Sequence, residues 1–334
     1  MNVTTPQVKQ LYFDPIILDV FMVLCNLVLG ELIGLVGLAA NVITIIIFCK
    51  NGIQDSVDVT LTALAVSDMG SLITTQFWNV IVNPWTLTVR FPFETFEVVT
   101  LVSFFPHGYF VKVSGLITSF AAFERCLCVV LPMKVKNIIS CRNSLFINVI
   151  IFILAISDIA TPYYFLYFGW VFSPERNSTL LRVITKDDFA IPISYSYFYS
   201  DVFVPYFTFT VLISCTIIIA VSLKRNAKWR SSVSLEKTDK AAKKATLKEL
   251  KVVRMLTVVS VIFIVCLIPL SATTTAVALV NELSILGPYF NVARLCYCVS
   301  FLTETVSSTM NPFVYYKMSS KYKKGFSQLF SRCH

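Results

Sequence analysis

The chain has 334 residues, 56% hydrophobic and 14% charged, with 28 basic against 19 acidic side chains and a net charge of +9. Soluble domains carry about a quarter charged residues, so this composition excludes a soluble enzyme, a disordered tail and a small secreted scaffold. A mean hydropathy of +0.74 calls for lipid as solvent, and the placement of the basic excess then sets orientation.

A helix crosses the hydrocarbon core with about 20 mostly apolar residues. Seven runs meet that need. In chain order they are a run ending in the charge-free stretch Leu32 to Cys49, then Val59 to Val82 with Asp68, Val98 to Phe123 with Lys112, and Leu145 to Phe168 with Asp158. Tyr195 to Leu223 with Asp201, Met255 to Asn281 without charge, and Leu295 to Tyr316 with Glu304 complete the set. The runs are continuous rather than alternating, so helices and not a barrel satisfy the backbone. Beyond them, Tyr322, Phe326, Leu329 and Phe330 share one face, with Lys321, Lys323 and Lys324 nearby. That pattern predicts an interfacial helix. The fold class expected is an all-α membrane protein, a seven-transmembrane helix bundle with an amphipathic eighth helix. Residues 1–22 form the N-terminus, 23–317 the bundle, and 318–334 the eighth helix and tail.

Basic residues assign the sides. Of the 28, 21 follow runs one, three, five and seven, with eleven between Lys224 and Arg254. This predicts a cytoplasmic C-terminus and an extracellular N-terminus in a multi-pass plasma-membrane protein. Two glycosylation acceptors, Asn2 and Asn177, fall on the predicted outer face. The first run lacks a basic leader and a small-residue cleavage site, so it is expected to act as signal-anchor. A basic run that flanks a membrane needs no nucleic-acid partner, and none is expected.

Several motifs stand in order along these runs. Asn41 lies in the first and Leu64-Ala65-Val66-Ser67-Asp68 in the second; Glu124-Arg125-Cys126 closes the third, with Pro132 beyond it. Pro205 interrupts the fifth, Cys266-Leu267-Ile268-Pro269 the sixth, and Asn311-Pro312-Phe313-Val314-Tyr315 closes the seventh. Together they resemble the rhodopsin-like (class A) G-protein-coupled receptors, over about Glu31 to Phe330. The wording from Glu124 through Cys128, Val130 and Pro132 to Lys134 also looks like invertebrate, molluscan-type chemosensory or peptide receptors.

The resemblance implies roles. Asp68, with Asn41, Ser114, Ser307, Ser308 and Asn311, would form a pocket for an allosteric Na+; the alternative is a neutral Asp satisfied by hydrogen bonds. A charge within a span is by default functional. Arg125 would pair with Glu124 and, across helices, with Glu249, tethering the sixth helix to the third at rest; otherwise Glu249 sits on a solvated face. Pro205, Pro269 and Pro312 would kink their helices, Phe263 would act as the toggle, and Tyr315 would turn inward on activation. Ile213 stands where the family usually has an inward Tyr.

The outer halves of the helices line the family's ligand pocket. His107 occupies the position where aminergic receptors carry Asp; it cannot supply a permanent negative charge, which argues against a monoamine ligand. Thr305 occupies the position of the retinal-binding Lys, which argues against a photoreceptor. Lys112, Asp201 and Glu304 remain as polar contacts for a zwitterionic or peptide ligand, or as a structural pairing of Lys112 with Glu304 or Asp201. The family's usual outer disulfide is missing, since Thr100 replaces one Cys and the loop from Gly169 to Ser194 holds no other. Cys25, Cys296 and Cys298 could supply a different bridge, with buried free thiols as the alternative. Cys333 is a palmitoylation candidate. No Cys/His cluster has metal-ligand spacing.

The expected function is binding of an extracellular peptide or small molecule, then activation of a heterotrimeric G protein through outward movement of the sixth helix. The chain performs no covalent chemistry. Arrestin, a receptor kinase and membrane lipid are further expected partners. The rival reading is a seven-helix solute transporter or channel.

Overall fold

The computed structural model describes residues 15–53, 55–131, 139–232, 240–283 and 287–331, with side chains for all of these except 15, 190, 223, 224, 226–249 and 281. Asn2, Pro132, Cys333 and the side chain of Glu249 therefore lie outside the described residues. Helix α1 is a rod of three parts, Pro15–Met22, the π-helical Val23–Gly30 and Glu31–Asn51, so the chain is helical from well before residue 23. Helix α2 is Ser56–Ile81, and α3 joins Thr95–Val99, the π-helical Thr100–Phe104 and Phe105–Val130. Helix α4 is Cys141–Phe165; strands β1 (Leu166–Ser173) and β2 (Ser178–Thr185) follow. Helix α5 joins Ala190–Tyr197, the π-helical Phe198–Phe203 and Val204–Ser232. Then come α6 (Lys240–Leu279), α7 (Phe290–Met318) and α8 (Ser320–Ser331).

Polarity runs inside out. In α4 the buried positions are Ser144, Asn148, Ala155, Asp158 and Pro162, one stripe at helical spacing. Phe146, Ile153 and Leu154 of the same helix are exposed. Water would reverse that choice, whereas lipid favours it, because hydrocarbon leaves polar groups only the interior in which to find partners. Six of the helices, α1 to α6, are long and apolar enough to cross a membrane. Helix α7 is the more polar seventh, because its buried face carries Ser300, Glu304, Thr305, Ser307, Ser308 and Asn311. It satisfies them by packing on α1, α2 and α6. Helix α3 is central and touches α2, α4, α5 and α6.

Helix ends follow local chemistry. Asp55 caps α2 by accepting the Asp58 amide at 3.1 Å, and Ser140 caps α4 by accepting that of Asn143 at 3.2 Å. Gly52, at φ +70°, ends α1 in a conformation that favours glycine.

The fourth span was expected to reach Phe168, but α4 ends at Phe165 and the next residues form a hairpin. Pairing runs antiparallel from Leu166 opposite Thr185 to Ser173 opposite Ser178. The sequence signal was an aromatic-rich run, Tyr167 to Phe172, and a β-branched-rich run, Ser178 to Thr185, on either side of Pro174 to Asn177. Asn177 sits exposed in that turn at φ 46°.

The outer loop that lacks the family's usual disulfide is anchored by hydrogen bonds and an ion pair. Arg182 pairs with Glu97 at the start of α3, and the same carboxylate accepts the Val183 amide at 3.1 Å. The Glu94 amide donates to the Leu181 carbonyl at 2.9 Å, and the Leu181 amide to the Pro92 carbonyl at 3.0 Å. Glu97 also holds the Arg182 guanidinium above its ordinary pKa, first through the hydrogen bond and then through charge.

Helix α8 docks on α1. Tyr322 hydrogen-bonds Thr44 at 2.8 Å and meets the rings of Phe48 and Tyr315, each at 5.9 Å. Lys321 reaches Asp58 at 2.5 Å. A side chain at Gly325 would collide with Asn51 and Ile47, so glycine permits this close approach. Phe326 and Leu329 pack against the same core, while Phe330 is exposed.

Candidate functional site

Four polar clusters lie along the interior, each with a member on α3. The lowest is built on Glu124 and Arg125. Glu124 accepts from Ser144 of α4 at 2.5 Å and faces Arg125 at 3.8 Å. Arg125 donates to Ser56 of α2 at 3.3 Å, and its Nε is buried without a partner. The structure thus places Arg125 between α2 and its own neighbour. Whether Glu249 meets it lies outside the described residues.

The next cluster surrounds Asp68. Ser114 donates to one carboxylate oxygen at 2.8 Å and Asn311 to the other at 2.7 Å. Ser308 is a third hydrogen-bond partner. Asn41 ties α1 to α7 by donating to the Ser308 carbonyl at 3.0 Å, and Ser307 is buried beside it. Asp68 is 1% exposed. Tyr315, just beyond, is buried with its hydroxyl unpaired.

The third cluster corrects the expected pairing. Glu304 does not meet Lys112. It accepts from Ser71 at 3.0 Å through one oxygen and contacts His107 Nε2 at 3.0 Å through the other. His107 Nδ1 lies 2.8 Å from the Thr75 hydroxyl. His107 is therefore spoken for on both nitrogens, and α2, α3 and α7 are joined in one network.

The fourth cluster lines a cavity of about 280 Å3 between α3, α4, α5, α6 and α7. Lys112 lies 3.8 Å from Asp158 on α4 and 3.8 Å from Asp201 on α5. The second expected partner is thus present, and Asp158 is the partner that sequence reasoning missed. The cavity is otherwise largely aromatic, with Phe105, Tyr197, Phe209, Tyr297 and Phe301. His107 and Pro205 also line it. Glu304 and Thr305, expected there, do not: Glu304 faces α2 and α3, and Thr305 bonds back to the Phe301 carbonyl at 2.9 Å.

Phe263 and Leu267 of α6 form part of the cavity wall, where Phe263 packs so close to Gly115 that a side chain there would force it aside. Pro269 and Pro312 sit inside α6 and α7. Ile213 is exposed. Among the described residues every cysteine is free, so the bridge considered between Cys25 and Cys296 or Cys298 is not formed; Cys298 instead donates to Asn26 at 3.2 Å. No group of three or more His, Cys, Asp or Glu side chains suited to a metal occurs among the described residues.

The structure is a helical bundle with apolar side chains outward, a cavity lined by charged and aromatic side chains and, further along α3, Arg125 with its Nε buried. The family model for the 7 transmembrane receptor (rhodopsin family) matches residues 40–315. The chain belongs to that family of G-protein-coupled receptors, which bind extracellular ligands, couple to heterotrimeric G proteins and are not enzymes. The protein is accordingly a multi-pass membrane receptor. No curated protein matches the sequence.

Proposed function

We propose that this receptor takes an extracellular peptide or small zwitterionic ligand into the Lys112–Asp158–Asp201 cavity and activates a heterotrimeric G protein at the end that carries Arg125. The observation that supports it most is the cavity wall itself. It holds cation and anion together among aromatic rings, and Phe263 and Leu267 of α6 form part of it. A ligand that packs better when α6 shifts would favour the active state, and only such a difference moves an equilibrium. Outward movement of α6 would then open the surface around Arg125.

Orientation follows from the basic collar, which puts the N-terminus and the hairpin outside. Asn2 and Asn177 would carry glycans, and Cys333 an acyl chain that adds to α8 as a membrane anchor. Arrestin and a receptor kinase would read the active inner face. Asp68 would hold Na+ with the hydroxyls of Ser114 and Ser308, a set of oxygen donors suited to a hard cation. There Na+ would supply a positive charge to balance Asp68, with Asn311 bonded to Asp68 and Asn41 to the Ser308 carbonyl holding α7 against α2 and α1.

A direct test reconstitutes the purified chain in vesicles with a heterotrimer and follows both nucleotide exchange and solute flux against peptide and amino-acid libraries. Ligand-dependent exchange without flux is expected. Flux without exchange would establish the transporter reading in its place.

A further inference from the structure

The cavity wall carries more negative charge than positive. One ammonium, Lys112, stands 3.8 Å from Asp158 Oδ2 and 3.8 Å from Asp201 Oδ1. The two carboxylates differ in what else they touch. Asp201 accepts from Ser200 at 2.6 Å. Asp158 Oδ1 is buried with no hydrogen-bond partner, although Asp158 is only 8% exposed and lines the cavity. A buried carboxylate oxygen without a donor is costly. Native interiors rarely leave one so, and where they do the gap asks for a reason. Here the reason is adjacent, because the oxygen belongs to a side chain that borders empty space.

Local backbone geometry serves the same spot. Ser200 and Asp201 lie in the π-helical segment Phe198–Phe203, and a π-turn re-aims the side chains that follow it. A second π-segment, Thr100–Phe104, contributes Thr100 and Phe104 to the opposite wall. The Asp201 side chain is 28% exposed, whereas that of Asp158 is 4% exposed. The charged wall therefore grades from an accessible carboxylate to an enclosed one.

We propose that this wall is a binding site for an organic cation. A ligand's ammonium or guanidinium lies against Asp201 and, once the enclosed Asp158 side chain turns toward the cavity, takes its Oδ1 as acceptor, while its apolar or aryl body packs on Tyr197, Phe209, Phe263 and Tyr297. Aromatic faces add to the attraction for a cation. Lys112 balances one of the two carboxylates, and the ligand's charge balances the other. Position 107 offers no acid for this purpose, since His107 is turned to Glu304; α4 and α5 supply it instead. The cavity's size admits a small aryl-alkyl cation or the basic end of a short peptide. This assignment rests on the cavity being the ligand site.

The test uses the full chain in lipid nanodiscs and thermal unfolding as readout. The probes are 2-phenylethylamine, its neutral N-acetyl derivative, the anion 3-phenylpropionate, and the dipeptide phenylalanyl-phenylalaninamide. The two cations are expected to raise the melting temperature with dose, and the neutral and anionic probes to leave it unchanged. Asp158→Asn and Asp201→Asn should each raise the half-maximal concentration at least about tenfold, and Lys112→Gln should lower it. A stronger effect from the dipeptide assigns the cation to a peptide terminus, and a stronger effect from the amine assigns it to a free base. An equal shift from the neutral derivative overturns the proposal. So does the absence of a shift from both cations, or an unchanged half-maximal concentration in Asp201→Asn, whose partly exposed position tolerates the change. Nucleotide exchange is not read in this assay. Exchange driven by an uncharged ligand, with no cation binding, would remove the cation site and leave the receptor function standing. Cation binding without exchange would do the reverse.

Discussion

Replacing Arg125 with Ala is expected to reduce G-protein nucleotide exchange to its uncatalysed rate while ligand binding at the cavity persists. Arg125 lies more than three turns beyond Lys112 on α3 and does not line the cavity, so its loss leaves the cavity wall intact. Its guanidinium is tied to Ser56 and Glu124, and its buried Nε has no partner. A planar, always-charged group with unused donors is suited to a new bidentate contact once the surrounding helices part. Arg125→Lys should recover only a small part of the activity, because an ammonium keeps the charge and loses the fork. Exchange assays on purified heterotrimer, with binding measured on the same preparation, check both halves. Retained exchange in Arg125→Ala would remove Arg125 from the switch.

The largest effect on stability is expected at Glu304. Glu304→Ala leaves His107 and Ser71 facing a void in the centre of the bundle. Breaking a buried pair in this way costs about 3–5 kcal/mol, and a cavity left by the side chain adds to it. Glu304→Gln keeps two polar atoms within reach of Ser71 and His107 and should lose much less. Thermal unfolding of the three proteins in one detergent or nanodisc measures the difference. Equal melting temperatures would show that the network is dispensable to the fold.

The spans were legible because lipid makes composition decisive: a run of about 20 apolar residues has few other uses. The kink prolines and the Asp68 cluster were legible as motifs. The partners of the buried charges were not. Glu304 and His107 are 197 positions apart, and nothing in periodicity states which faces of α3 and α7 meet. Lys112 had four in-span carboxylates available, Asp68, Asp158, Asp201 and Glu304, and the choice of Asp158 and Asp201 depends on how α4 and α5 turn toward α3. The π-segments of α3 and α5 shift that facing by a fraction of a turn, and sequence periodicity does not reveal them. The hairpin was missed because its first strand continues an apolar helix without interruption. Its anchor, Glu97 with Arg182, reads in sequence as two ordinary surface charges.

The central claim is that the chain is a two-state switch in which α6 moves relative to α3 and α4 when the Arg125 end engages a G protein. Spectroscopic labels at exposed positions 142 on α4 and 251 on α6, introduced as noncanonical residues to avoid the native thiols, report on it directly. The distance between them should lengthen when a nucleotide-free heterotrimer is added and return when GTP releases it. An inter-label distance that stays fixed while the G protein binds would contradict the account.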